Sequence, residues 1–88
     1  MKEKRIKIRN NLGLHARAAA KIVTLTNKFS SKVTITNGER SADAKSIMKI
    51  LMLSAPKNTE INIHIQGKDE IKAMKELELL INEKFGED

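Results

Sequence analysis

Lys32-Val33-Thr34-Ile35-Thr36-Asn37-Gly38-Glu39-Arg40-Ser41-Ala42-Asp43 is the stretch that decides the fold. Val33 and Ile35 alternate with Thr34 and Thr36, which gives an extended chain one apolar and one polar face. Asn37-Gly38 is the strongest short hairpin signal, because both residues tolerate positive φ. Residues 32 to 36 and about 39 to 43 are therefore predicted to pair antiparallel. Working outward, residues 4 to 9 alternate with Ile6 and Ile8 on one face, and Asn10-Asn11-Leu12-Gly13 breaks the strand. Residues 61 to 65 alternate again, with Ile61, Ile63 and Ile65 inward, so His64 falls on the solvent face.

Helical spacing fills the gaps between these strands. From Ala16 to about Phe29, Ala16, Ala19, Ala20 and Val23 recur on one face, with Ile22, Leu25 and Phe29 alongside, an alanine-rich surface that suits close approach to a sheet. From about Asp69 to Lys84, Ile71, Met74, Leu77 and Ile81 form one stripe, with Gly86 as the stop. A short helix through Ser46-Ile47-Met48-Lys49-Ile50-Leu51-Met52-Leu53 is halted by Pro56. Each strand has one polar face, so the patterns predict an α+β fold, an antiparallel sheet with helices covering only its apolar face.

The chain has 88 residues, enough for one domain spanning 1–88. Cysteine is absent and only His15 and His64 are histidines, which leaves no disulfide and no metal-ligand set. The alternating, charged N-terminus does not read as a signal peptide, and no apolar run approaches the ~20 residues of a membrane span. A cytoplasmic protein with no membrane insertion is expected. The net charge of +6 favours acidic partners. Phe29 and Phe85, the only Phe, Tyr or Trp residues, fall on apolar sides of helical patterns, so no stacking platform for nucleic-acid bases is expected.

A helix start presents unpaired N–H groups and partial positive charge, and usually carries Asp or Glu in its first turn. The last helix has Asp69 and Glu70. The first opens Gly13-Leu14-His15-Ala16-Arg17-Ala18 with a histidine, an arginine and no acid. Free backbone N–H groups of Ala16, Arg17 and Ala18, the Arg17 guanidinium and small alanines make a cradle for an external oxyanion. His15 sits at its mouth, and a neutral imidazole there could attack a phosphoryl group. The plainer reading is an indifferent cap beside an exposed arginine. Ser46, between Lys45 and Lys49, is either an ordinary N-cap or a phosphorylation site where phosphate would meet free N–H groups and two lysines. Apolar residues occupy all sides of this short helix, so some are either exposed for docking or methionines filling core gaps.

Gly13-Leu-His-Ala-Arg17 at a helix start and Lys45-Ser-Ile-Met48 about thirty residues later resemble the two signatures of the HPr family, with Lys57 and Glu60-Ile61 extending the likeness. The resemblance implies an open-faced β-sandwich with a four-stranded antiparallel sheet and three helices on one face. It implies a monomeric phosphocarrier of the bacterial phosphoenolpyruvate-dependent phosphotransferase system, without a cofactor. His15 would take the phosphoryl group from enzyme I and pass it to downstream acceptors, with Arg17 as phosphate partner. Ser46 would be the target of an HPr kinase/phosphorylase. Ala20, Thr24, Ile47, Met48, Lys49, Leu51 and Met52 would form the docking surface. Three positions depart from the pattern. Ala18 replaces a common proline and regains an N–H, while Lys49 replaces a common glycine and adds charge beside Ser46. Asn58 replaces another glycine and is the next best residue for a left-handed turn. A small basic nucleic-acid module, the rival reading, lacks a Gly-X-X-Gly loop and exposed aromatics. A relative acting through Ser46 alone would not need the retained His15.

Overall fold

The computed structural model describes residues 1–87; Asp88 lies outside them. Four strands form one antiparallel sheet: β1 (Lys2–Lys7), β2 (Lys32–Asn37), β3 (Arg40–Asp43) and β4 (Glu60–Gln66) in the order β1-β4-β2-β3. The helices are α1 (Ala16–Thr26), α2 (Ile47–Leu51) and α3 (Glu70–Asn82), followed by a single 3₁₀ turn at Lys84–Gly86.

Alternation sets the sheet's inner face as the sequence pattern predicts. Ile6, Ile8, Val33, Ile35, Ala42, Ile61, Ile63 and Ile65 are all buried, and they meet the buried residues of the helices in one core. Pairing of the first strand continues past Lys7, because Ile8 donates to Thr59 and accepts from Asn58. The hairpin turn sits one residue later than predicted. Asn37 still pairs with Arg40, so Gly38-Glu39 make the turn, with Gly38 at φ +62°. Positive φ at the first central residue alone is the arrangement that wants glycine there. Asn37 stays extended, and its side-chain amide donates to the Leu53 carbonyl at 2.8 Å.

Helix faces depart further from the expected pattern. α1 ends at Thr26 rather than near Phe29, and its buried residues are Ala18, Ala19, Ile22 and Thr26. Ala16, placed on the apolar face by periodicity, is exposed. The nearest backbone neighbours of α1 are α2 and α3 rather than the sheet. In α3 the stripe is Ala73, Met74, Leu77 and Ile81, while Ile71 is 68% exposed. The hydrophobicity of a residue does not say on which side of a first turn the core lies. α3 stops at Asn82, two residues short of the expected Lys84. Beyond it Lys84 and Phe85 both adopt φ +58°, which tucks Phe85 fully into the core. Asn58, at φ +76°, takes the left-handed conformation expected of it.

Asp69 does not cap its own helix; it ties the start of α3 to the segment entering β2. Its carboxylate accepts from the Ser30 amide at 2.9 Å, the Ser31 amide at 3.0 Å, and the Ser31 hydroxyl. The Ser31 hydroxyl and Ser30 amide, aided by the Ser31 amide, overcome the effect of burial and lower the Asp69 carboxyl from 3.8 to about 2. A folded-state value below the unfolded one stabilises fully above the unfolded value and is lost as pH falls through the folded one. Asp69→Asn should therefore be less stable than the parent at about pH 5, with the gap closing toward about pH 2. Urea unfolding at both pH values checks this; a gap independent of pH would show that Asp69 does not carry it.

Candidate functional site

The site begins where β1 gives way to a tight loop. Asn10 is fully buried, and its side-chain amide donates to the Gly13 carbonyl at 2.8 Å. The Gly13 amide returns to the Asn10 carbonyl at 3.2 Å, and Leu14 donates to the Ala55 carbonyl at 2.9 Å. Gly13 has φ +67°, and a Cβ there would lie 2.5 Å from the Ala55 oxygen and 2.7 Å from the Pro56 Cα. Only glycine satisfies both demands. The turn closes with the His15 amide donating to the Gly13 carbonyl at 2.9 Å, which sets His15 in an extended conformation (φ −87°, ψ −179°) as the residue just before α1.

At this position the His15 carbonyl accepts the Ala19 amide at 2.9 Å, while its side chain makes no capping bond. Among the described residues the amides of Ala16, Arg17 and Ala18 have no acceptor, and the first turn holds no acid. Ala16 and Arg17 are exposed residues. Ala18 is fully buried, and its N–H is closed to a ligand in this conformation. Arg17 makes no hydrogen bond or ion pair among the described residues. Free N–H groups, an unpaired guanidinium and a histidine thus converge on one exposed helix end, an arrangement that binds a tetrahedral oxyanion.

The first turn of α1 holds no acid, as read from the sequence, but an anion reaches this helix end from a distant part of the same chain. Glu87 Oε2 lies 2.5 Å from His15 Nε2, and Glu87 Oε1 accepts the Asn10 side-chain amide at 3.0 Å. Phe85 anchors the approach in the core, Lys21 Nζ donates to the Phe85 carbonyl, and Gly86 at φ +75° turns the chain toward His15. Burial pushes the Glu87 carboxyl up. Hydrogen bonds from Asn10 and His15 and the charges of His15 and Arg17 outweigh it, so the carboxyl stays below the ordinary glutamate range. Neither Asn10 nor Glu87 carries a motif, and only the fold brings them to His15.

The second expected region lies on α2. Ser46 precedes the helix, and its hydroxyl accepts the Lys49 amide at 3.3 Å, an N-cap as read from the sequence. Of the two flanking lysines only Lys49 stands open. Lys45 Nζ donates to the Phe29 carbonyl at 2.8 Å. Ile50 and Leu53 are buried, while Met48 and Met52 are 70% and 66% exposed, with Ile47 and Leu51 partly so. The methionines here are not core fillers. Ala20 and Thr24 line a cleft between α1 and α3 together with Arg17, Lys21 and Leu79, and none of the α2 residues lines it. Among the described residues no cluster of His, Cys, Asp and Glu that could hold a metal occurs, and no helix is long and apolar enough to cross a membrane.

Residues 2–83 match the protein family described as the PTS HPr component phosphorylation site. The phosphocarrier protein HPr of Xylella fastidiosa strain Temecula1 is 43% identical over 88 residues, covering 100% of this chain and 99% of that protein. The crystal structure of HPr-C-His from Thermoanaerobacter tengcongensis superposes with a TM-score of 0.96 at 42% identity, covering 100% of this chain and 99% of that one. An HPr dimer from the same organism matches with a TM-score of 0.79 at 42% identity, over 99% of this chain and 100% of that one. With the sheet order, the helix-end geometry and the end-to-end likeness in agreement, the chain belongs to the HPr family of phosphocarrier proteins of the phosphotransferase system.

Proposed function

We propose that this phosphocarrier takes its phosphoryl group from enzyme I onto His15, in the cytoplasm and as a single chain, and passes it to downstream acceptor proteins. The observation that carries the reading is the open end of α1: His15 precedes two exposed residues, Ala16 and Arg17, whose amides have no acceptor among the described residues, and the Arg17 guanidinium has no ion pair among them. A ring nitrogen of His15 attacks phosphorus as the bond from phosphorus to the donor's leaving atom breaks, and that electron pair stays with the donor. The Ala16 and Arg17 amides and the Arg17 guanidinium then hold the phosphoryl oxygens. Neither change needs a metal or a second substrate held by this chain. The exposed side chains of Ile47, Met48, Leu51 and Met52, with Lys49, offer an apolar and basic surface on which an acidic partner docks. Ala20 and Thr24 extend the contact along α1.

Ser46 is proposed as the regulatory switch, through an HPr kinase/phosphorylase. A phosphate there adds roughly −2 charge at the start of α2, beside Lys49 and the exposed methionines. Locally it is compatible with the helix dipole. On the docking surface it repels an acidic partner and must be desolvated on contact.

Incubation with phosphoenolpyruvate and purified enzyme I, followed by intact mass, should give one acid-labile phosphoryl adduct that is absent from His15→Ala. Arg17→Ala should slow transfer by roughly 100-fold while leaving stability within about 0.5 kcal/mol. Undiminished labelling of His15→Ala would remove His15 as the acceptor, and unchanged transfer in Arg17→Ala would remove the guanidinium from the site. In the same assay, Ser46-phosphorylated protein should accept the group from enzyme I more slowly, at an unchanged or higher melting temperature. Equal rates, or a loss explained by unfolding, would return Ser46 to a plain helix cap.

A further inference from the structure

We infer that the cleft between α1 and α3 is a docking groove for an amphipathic helix of a partner protein, one with an apolar ridge, acidic side chains on one flank and basic side chains on the other. No residue of α2 lines this cleft, and the inference does not rest on the reading of His15.

The two helices run antiparallel. Lys21, in the first half of α1, reaches the Phe85 carbonyl just past the end of α3, and the Ser30 amide, beyond the end of α1, donates to Asp69 at the start of α3. Small side chains at Ala20 and Thr24 leave a hollow of about 500 Å³ between them. Leu25 and Leu80, half-buried against the core, form its floor, and Leu79, 56% exposed, forms a wall. The charges on the two rims are opposite: Arg17, Lys21 and Lys28 on the α1 side, Glu76 and Glu83 on the α3 side. Lys21 is engaged by the Phe85 carbonyl. Among the described residues Arg17, Lys28, Glu76 and Glu83 make no ion pair, so the charges face each other across apolar surface without meeting.

The occupant follows from this arrangement of charge. A small organic anion seated on Leu79 and Leu80 would meet the cations but strip water from Glu76 and Glu83 without replacing it, and an organic cation would do the same to Arg17 and Lys28. A helix avoids both costs. Its ridge at i, i+3, i+4 and i+7 fills the hollow, while side chains on its two flanks reach the two rims separately. The α1 rim from Arg17 to Lys28 runs roughly 16 Å at the helical rise, which matches three turns of a partner helix. Opposite signs on the rims also fix the direction in which the helix lies. Turned end for end, it would bring its acids to Glu76 and Glu83 and its bases to Arg17 and Lys28.

The probe is a synthetic helical peptide of about three turns, with a leucine ridge, glutamates on one flank and lysines on the other, titrated into ¹⁵N-labelled protein at about 0.15 M salt. The Thr24, Leu79 and Leu80 amides should shift most. Affinity should fall about tenfold in Leu79→Glu, which puts a charge on the apolar wall, and by a similar factor in Glu76→Lys, which sets a cation against a peptide lysine. A companion peptide with glutamates on both flanks should bind the parent more weakly, and should bind Glu76→Lys more tightly than the parent. Thermal melting shows that each variant is folded, and should one of them unfold, the other carries the comparison. Cleft amides that do not shift, shifts gathered on α2 instead, an unchanged affinity of the mixed-flank peptide for either folded variant, or a companion peptide bound equally by the parent and folded Glu76→Lys would each overturn the inference.

Discussion

Gly13 approaches the Ala55-Pro56 backbone so closely that a side-chain carbon there would lie 2.5 Å from the Ala55 oxygen, and the geometry at the mouth of α1 follows from this approach. It pins the turn through Leu14 and holds His15 extended just before the helix. Among the described residues the Ala16 and Arg17 amides at the start of α1 then have no acceptor. The loop could not close this way with any Cβ at position 13, and without that closure the histidine would have no fixed relation to the helix dipole.

Stability and function are divided between the core and the surface of the helices that cover it. The isoleucines of β1, β2 and β4 with Ile22, Leu77, Ile81 and Phe85 bury the apolar face of the sheet, and no residue proposed for chemistry contributes a large side chain to that core. An unsatisfied helix end and an exposed apolar patch are both locally unfavourable, and a well-filled core tolerates them. α1 also meets a charge problem, with Arg17 at its positive end. Glu87 offsets part of that from across the fold, while Asn10 and the anchored Phe85 keep its carboxylate in place.

Much of this was legible in the residues. Period-two alternation marked three strands and their inner faces, because a sheet with one wet side imposes that pattern, and the Asn37-Gly38 turn signal marked the fourth. The acid-free start of α1 and the serine at the head of α2 were equally readable. The pattern failed where several residues of the same kind compete. Ala16, Ala18, Ala19 and Ala20 look alike on a wheel, and only packing against α2 and α3 selects Ala18 and Ala19 for burial. Ile71 has the right period and the wrong side of the first turn. Glu87 lay out of reach for a different reason. It meets His15 across 72 residues of sequence, through a pair of left-handed residues at Lys84 and Phe85 that no propensity favours. Local rules see neighbours three or four residues apart, and a site assembled from both ends of the chain is visible only once the chain is folded.

The central claim is that the open end of α1 receives the phosphoryl oxygens on His15. It is tested most directly by the backbone amide spectrum before and after phosphorylation with phosphoenolpyruvate and enzyme I. The account predicts that the Ala16 and Arg17 amide protons move furthest downfield, as they gain charged acceptors, while buried Ala18 moves little. A fully phosphorylated protein in which the Ala16 and Arg17 amides stay where they were would contradict it.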